Sequence, residues 1–270
     1  MFGPAFNEVS QSILALTLGM ARLYPCLFLV PAFAFREIKG MLRHAIVLAL
    51  ALVPMPGIRA SLAGHDLGWI DLGGLILKES VIGLLLGLLL AMPFWMFESI
   101  GCLFDNQRGA LIGGQINPAL GDNTSELGHM FKQLLILLLI LGGGYAALTQ
   151  VIWDSYAVWP ANHWLPMPAT DGWDLYLRLL ASTFRCMVLY AAPLVGLLLL
   201  IEFGMAILSL YSPQLQVSTL AMPAKSLVGL GFLVLYLPML CWLGQGQLAQ
   251  LADFKHLLPL LLKATPGALP

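Results

Sequence analysis

Six apolar runs, most of them long enough to cross a bilayer, constrain the fold of this chain more than any other feature. They cover residues 11–35, 44–58, 72–97, 130–152, 175–203 and 226–243. A membrane-spanning helix needs about 20 mostly apolar residues, because the hydrocarbon layer is about 30 Å thick. Charged residues make up 10% of the chain, whereas soluble domains carry about 25%. The sequence therefore predicts an all-α, polytopic membrane protein, with residues 1–270 forming a single membrane domain.

Charged residues interrupt several of these runs. Arg22 lies in the first run, Lys78 and Glu79 in the third, and Arg185 and Glu202 in the fifth. Charges at bilayer depth are costly and normally face protein or water. We expect Lys78 and Glu79 to take part in an interfacial or interhelical salt bridge, and Glu202 to pair with an arginine such as Arg185. So many interruptions indicate that the helices pack mostly against partner subunits and do not form six simple membrane spans.

Two groups of glycines punctuate the apolar runs. Gly83 and Gly87 lie one helical turn apart in VIGLLLGLL, and together with Glu79 they are our candidates for helix packing. Small residues at this spacing let two membrane helices approach closely. The second group, residues 142–144, fits either a packing face or a flexible break.

A long polar segment separates the third and fourth runs. It covers residues 98–128, with the sequence ESIGCLFDNQRGALIGGQINPALGDNTSELG. Irregular backbone at membrane depth is tolerated only where it is buried in protein or lines water. From its residues alone, this segment is either a large external loop or part of a conduit.

A second unusual segment lies between the last two runs. Residues 209–226, SLYSPQLQVSTLAMPAKS, contain two prolines, two glutamines and a lysine. A proline restricts the residue before it to extended conformations. The pattern indicates a turn or a broken helical hairpin.

Several function classes find no support in the sequence. A net charge of −1 provides no basic surface for nucleic acid. The chain contains no HExxH, no phosphate-binding loop and no GxSxG, which are signatures of zinc, nucleotide and hydrolase sites. Its four cysteines show no metal-ligand or disulfide spacing. We therefore predict no enzyme activity, no cofactor, no metal and no nucleic-acid partner.

Together these segments resemble the SctT/FliR family of inner-membrane proteins, which belong to the export apparatus of type III secretion systems and of the flagellum. The matching residues are Glu79, Gly83 and Gly87 in ESVIGLLLG; Asp105, Gln107 and Gly109 in FDNQRG; Pro118 in INPALG; Ser125 and Gly128 in SELGHMFKQLLILL; and Pro213 to Lys225 in SPQLQVSTLAMPAKSLVGL. The first 70 residues match only as a hydrophobic pattern. The residues around Pro213 are more similar to the injectisome branch than to the flagellar branch.

The resemblance implies a division of the chain and a set of partners. Residues 1–184 would form an SctR-like part, residues 185–250 an SctS-like helical hairpin, and residues 251–270 a C-terminal tail. The hairpin turn would include Pro213, Gln214, Pro223 and Lys225. The chain would assemble with SctR-type and SctS-type subunits into a helical export gate in the bacterial inner membrane. This gate would contact an SctU-type switch protein and pass unfolded proteins, with energy supplied by a separate ATPase and the proton-motive force.

The resemblance also favours the conduit interpretation of segment 98–128, as part of the closure of the gate. The candidate residues are Asp105, Gln107, Gly109, Leu111, Ile112, Gly113, Gly114, Ile116 and Pro118. Glycines allow sharp or mobile backbone, which a closure that yields to a passing chain requires. The apolar members would seal the pore against ions by excluding water.

A different class of function stays open beside the export gate. The chain could be a small ion-coupled secondary transporter that uses Lys78, Glu79 and Glu202 as coupling groups. Many transporters are built from inverted repeats, and the sequence shows no internal repeat of fixed period.

Overall fold

The computed structural model describes residues 4–33, 38, 40–62, 68–110, 125–162, 172–211 and 217–261. Within these residues the regular secondary structure is entirely helical. The α-helices are α1 (Pro4–Leu29), α2 (Met41–Ala51), α3 (Met55–Leu62), α4 (Trp69–Arg108), α5 (Glu126–Leu141), α6 (Gly144–Val158), α7 (Gly172–Tyr211) and α8 (Val217–Leu261), with a 3-10 turn at Pro31–Phe33. The prediction of an all-α protein is confirmed.

In the described residues, each of the six apolar runs is largely helical, and four of the runs lie in single helices long enough to span a membrane. Helices long and apolar enough to cross a membrane cover Glu8–Leu29, Trp69–Arg108, Gly172–Tyr211 and Leu220–Leu251. The second run is split into α2 and α3, which are bent by 64° relative to each other, and the fourth run is split into the bent pair α5 and α6. The chain is therefore a polytopic membrane protein with up to six crossings.

The break in the fourth run lies at its glycine cluster. Gly142 ends α5 with its N–H donating to the carbonyl oxygen of Leu138 at 3.0 Å. Gly143 follows with a φ of 67°, a left-handed conformation that a side chain disfavours. The glycines therefore act as a helix break, one of the two roles that the sequence left open.

The described residues belong to two compact units. The first comprises Met1–Met92, Gly143–Leu179 and Ala249–Pro270, and the second comprises Pro93–Gly142 and Leu180–Leu248. The core of the first unit is formed by Ala15, Leu18, Ile58, Leu62, Leu75, Tyr156 and Ala161. Buried side chains of the second unit include Phe94, Phe97, Phe104, Phe131, Leu194, Leu198 and Leu240. The division into an SctR-like and an SctS-like part stays a prediction.

Three helices are longer than a bilayer requires. Helices α4 and α7 have 40 residues each and α8 has 45, so α7 alone is about 60 Å long, twice the thickness of the hydrocarbon layer. The most apolar stretch of α4 is 67% buried, but those of α7 and α8 are only 17% and 22% buried. Exposed apolar side chains occur along α7 from Trp173 to Tyr211, and those from Phe184 to Tyr211 alone extend about 40 Å along the helix.

Candidate functional site

Helix α4 ends within the polar segment, at Gly109. Gly109 has a φ of 83° and donates its N–H to the carbonyl oxygen of Asn106 at 3.1 Å, while Ala110 donates to the carbonyl oxygen of Asp105 at 3.0 Å. These two bonds form a Schellman motif with glycine at its left-handed position. A side chain at Gly109 would strain this helix end.

The side chain of Asp105 joins the end of α4 to the start of α5. Its Oδ2 accepts a hydrogen bond from the Ser125 hydroxyl at 2.6 Å and another from the Leu127 N–H at 3.1 Å. Its Oδ1 lies 2.9 Å from Nε of Arg108. Asp105 is only 1% exposed, and its bond with Ser125 is buried, away from water, where hydrogen bonds are stronger. We call Asp105, Arg108, Gly109, Ser125 and Leu127 the loop anchor, because these residues flank the segment 110–124.

Ser125 has a second role in the loop anchor, as the N-cap of α5. Its Oγ accepts a hydrogen bond from the Gly128 N–H at 2.9 Å. A serine in this position satisfies one of the N–H groups that the first helical turn leaves unpaired. Ser125 therefore receives a bond from its own helix and donates one to α4.

Two glycines let α4 and α5 approach closely beside the loop anchor. A Cβ atom at Gly101 would lie 2.5 Å from the Gly128 nitrogen, and one at Gly128 would lie 2.7 Å from Sγ of Cys102. Nearby, Nζ of Lys132 lies 2.6 Å from a carboxylate oxygen of Glu98. The contact of α4 with α5 thus combines a close backbone approach with an ion pair.

Helices α4, α7 and α8 meet at a second polar group. Nζ of Lys225 on α8 lies 2.8 Å from Oε2 of Glu202 on α7, and it donates a longer bond of 3.4 Å to the carbonyl oxygen of Gln107 on α4. The Gln107 amide donates to the same Glu202 oxygen at 3.3 Å. The end of α4 at Gln107 is therefore tied to both α7 and α8.

This geometry corrects the expected partner of Glu202. Arg185 lies 17 residues earlier on the same helix, about 26 Å along its axis, which is far beyond ion-pair distance. Glu202 pairs instead with Lys225, which α8 brings to it. Lys225 is buried and Glu202 is half-exposed.

Two sets of expected site residues lie in different elements from those that the sequence predicts. Residues 98–108 are helical, so Asp105 and Gln107 lie on the last turns of α4 and not in an extended loop. Pro223 and Lys225, expected in the hairpin turn, lie inside α8. A proline is tolerated there because neighbouring helices compensate for its missing N–H donor in membrane proteins.

Other expected site residues lie outside the described part of the chain. They are Leu111, Ile112, Gly113, Gly114, Ile116 and Pro118 of the polar segment, and Pro213 and Gln214 of the hairpin turn. Helices α7 and α8 cover the expected hairpin, residues 185–250, but α7 begins before residue 185 and α8 ends after residue 250. The expected tail is helical as far as Leu261.

A separate charged cluster is buried in the first unit around Arg22. Nε of Arg22 lies 2.6 Å from Oε2 of Glu79. The guanidinium also donates to the Ser155 hydroxyl at 3.1 Å and to the Trp159 carbonyl oxygen at 2.7 Å, and it lies 4.1 Å from the centroid of the Tyr156 ring. Arg22 and Glu79 are both 0% exposed, so this pair, which the sequence did not identify, joins α1 to α4 away from water and lipid.

Lys78 completes this cluster from the other side of Glu79. Its Nζ lies 2.7 Å from Oε1 of Glu79, although consecutive residues of a helix do not normally face each other. It also donates to the carbonyl oxygens of Pro160 and Ala161, at 3.3 and 3.1 Å. We call Arg22, Lys78, Glu79 and Ser155 the Arg22 cluster. Its contacts connect α1, α4 and the end of α6.

Gly83 and Gly87 lie at a close approach of α1 to α4. A Cβ at Gly83 would overlap the Arg22 carbonyl group and lie 2.9 Å from Cγ of Pro25. A Cβ at Gly87 would lie 2.9 Å from Cα of Cys26. This contact, one turn from Glu79, positions α1 so that Arg22 reaches its carboxylate partner.

The polar groups of the loop anchor and of the Arg22 cluster hold helices together. Asp105 and Glu79 do so through ion pairs, and Asp105 also accepts a bond from the first turn of α5. Within the part of the chain that the structure describes, no group of three or more His, Cys, Asp or Glu side chains is arranged to hold a metal. The geometry therefore fits a scaffold that fixes the two ends of a polar segment.

Comparison with known proteins identifies relatives over almost the whole chain. Residues 13–251 match the model of the family described as bacterial export proteins, family 1. The chain is 32% identical to Yop proteins translocation protein T of Yersinia pestis, over 94% of this chain and 98% of that protein. It is 29% identical to surface presentation of antigens protein SpaR of Salmonella typhimurium, over 87% of this chain and 88% of that protein.

A flagellar relative is more distant. The flagellar biosynthetic protein FliR of Caulobacter vibrioides is 22% identical, over 92% of this chain and 98% of that protein. The first two relatives are more similar to this chain than the flagellar protein is, in agreement with the expectation of an injectisome branch. The named relatives together indicate a role in protein export. With its apolar spans, the chain is a multi-pass protein of the bacterial inner membrane, and it belongs to the SctT/FliR family, the bacterial export proteins of family 1.

Proposed function

We propose that this chain is a core subunit of a type III secretion export gate. It would assemble with SctR-type and SctS-type subunits into a conduit for unfolded proteins through the inner membrane, in contact with an SctU-type switch protein. Its role would be structural and gating, without a catalytic step of its own.

The observation that carries this proposal is the exposed apolar surface of α7 and α8. An apolar face about 40 Å long on α7 is longer than the 30 Å that hydrocarbon covers. Large apolar surface in contact with water is unfavourable. Further protein subunits that cover these faces would remove both problems, as expected for a chain whose relatives are components of secretion systems.

We also propose that the segment between Gly109 and Ser125 contributes to closing the conduit. The loop anchor supports this, because it holds the two ends of the segment close together. The helix before the segment has already ended at Gly109 and Ala110. A closure must yield to a passing chain without the surrounding helices coming apart. Anchored ends and a glycine-rich sequence between them meet that requirement.

Purification in a mild detergent tests the assembly. We expect the tagged chain, expressed with its natural neighbours, to purify with two other small hydrophobic proteins in a fixed ratio. A monomer or homodimer that binds a small solute would contradict the export gate and favour a transporter.

A deletion tests the closure. Removing residues 111–116 leaves every residue of the loop anchor in place, so we expect the complex to assemble and the inner membrane to leak small ions. A matched control replaces the same six residues by a Gly/Ser sequence of equal length, which preserves the span but removes the apolar side chains. If the deletion complex assembles and the ion conductance of the inner membrane is unchanged, the closure proposal is wrong.

A further inference from the structure

Arg185 is a charged residue in the middle of an exposed apolar face. It lies on α7, 13 residues after the start of that helix. Its side chain is exposed, and the described residues offer it no carboxylate within ion-pair distance. Its neighbours along the helix include the large apolar side chains of Phe184, Val188 and Leu189, which are 57%, 59% and 55% exposed.

Contact of this surface with either water or lipid is unfavourable. Water would leave the exposed apolar side chains on both sides of Arg185 without cover. Hydrocarbon would cover those side chains but would surround a guanidinium, which is costly at bilayer depth. An apolar protein surface that carries one carboxylate satisfies both parts of the face at once.

The geometry of the helix adds a further condition on this partner. Residues 181, 185, 188 and 192 lie within successive turns of one helical face, and Ala181 and Ala192 on it are small and exposed. Small side chains on either side of Arg185 leave room for a helix to approach closely. The partner element is therefore best described as an apolar helix with an acidic residue.

We propose that Arg185 is the centre of a docking surface for an apolar helix of another membrane subunit, which contributes an Asp or Glu to an ion pair. This inference rests on the proposed function, since it requires a multi-subunit assembly. A buried arginine that meets a carboxylate in an apolar interface fixes the register of the two helices, because an ion pair can form in only one relative position.

Charge reversal in the assembled complex tests the proposal. With Arg185→Glu we expect the yield of co-purified subunits to fall at least about tenfold, because like charges in a desolvated interface cost several kcal/mol. Arg185→Lys keeps the charge and should retain most of the yield. The matched control is Arg178→Glu, which changes the same residue type near the N-terminal end of the same helix and should have little effect.

Crosslinking in native membranes identifies what covers the face. We expect a photoreactive amino acid in place of Val188 to crosslink to a peptide with an Asp or Glu in an apolar run. Changing that acidic residue to Lys should restore the yield of the Arg185→Glu complex. Crosslinks to lipid alone, or a wild-type yield with Arg185→Glu, would overturn this inference while leaving the proposed function intact. Failure of the wild-type chain to purify with any subunit would instead count against the proposed function.

Discussion

Asp105 and Ser125 are 20 residues apart in the chain, yet the Ser125 hydroxyl lies 2.6 Å from the Asp105 carboxylate. The bond is buried, and the same carboxylate oxygen also receives the Leu127 N–H. A single side chain at the end of one helix thus completes the first turn of the next. Through these bonds, Asp105 holds the two described residues that flank the intervening segment, Ala110 and Ser125, at the ends of neighbouring helices.

Asp105→Asn should loosen the start of α5. The variant loses the charge that strengthens its bonds to Ser125 and Leu127, and bonds to charged groups contribute about 1.5–3 kcal/mol. We expect backbone hydrogen exchange in residues 126–131 to become at least about tenfold faster, by the equivalence of about 1.4 kcal/mol and a factor of ten. Hydrogen-exchange mass spectrometry of the detergent-solubilised chain measures this exchange rate.

The control for this experiment is Ser125→Ala. This change removes both the cap bond from Gly128 and the bond to Asp105, and the loss of an N-cap serine alone costs about 1 kcal/mol, so the same peptide should exchange faster than in the wild type. Equal exchange in wild type and Asp105→Asn would show that the carboxylate does not hold the helix start.

Gly109→Ala should destabilise the end of α4. The φ of 83° at Gly109 places any side chain in a left-handed conformation, which costs about 1–2 kcal/mol. Thermal unfolding should show a lower midpoint for this variant. The matched control is Gly73→Ala in the same helix, where a Cβ meets no atom within 4 Å and alanine should be neutral or slightly stabilising. A lower midpoint for both variants alike would refute the special role of Gly109.

Removing Glu79 alone should cost more than removing Arg22 and Glu79 together. Glu79→Leu leaves the buried Arg22 guanidinium without its carboxylate and Lys78 without its ion pair, and breaking a buried ion pair costs about 3–5 kcal/mol. Arg22→Met leaves Glu79 paired with Lys78 and should cost less, and the double variant, which replaces both side chains by apolar ones, should be less destabilised than the sum of the two single losses. A double-mutant cycle in denaturant measures the coupling. Additive losses would show that the two charges do not depend on each other.

Gly83→Ala should separate α1 from α4. Its Cβ would overlap the Arg22 carbonyl group, and overpacking of this kind costs about 1–3 kcal/mol. Gly73→Ala again serves as control, because it adds the same methyl group to α4 at an open position. The difference in unfolding midpoint between the two variants isolates the helix contact. Equal midpoints would mean that α1 can move away at no cost.

Much of the fold was accessible from the sequence because a bilayer imposes a simple length rule. Each of the six apolar runs became helical, and the glycine cluster at residues 142–144 marked a break. The boundaries of the polar segment were less accessible, since Asp105, Asn106 and Gln107 look like loop residues when read alone. They are helical because α4 continues beyond its apolar run until Gly109 ends it.

The pairing of charges could not be read from the sequence. Arg22 meets Glu79 across 57 residues, and Lys225 meets Glu202 across 23. Nothing local distinguishes these partners from Arg185, which was the expected partner of Glu202. The signal that was available is the cost of burial: Arg22 inside an apolar run required some carboxylate, and only helix packing determined which one.

The burial of Arg22 also bears on the order in which the protein can be made. When α1 leaves the ribosome, the segment that carries Glu79 has not been synthesised, so the guanidinium has no carboxylate to accompany it into hydrocarbon. Stable insertion of α1 therefore depends on α4, so the first of the described helices is secured in the membrane only when the fourth has been made.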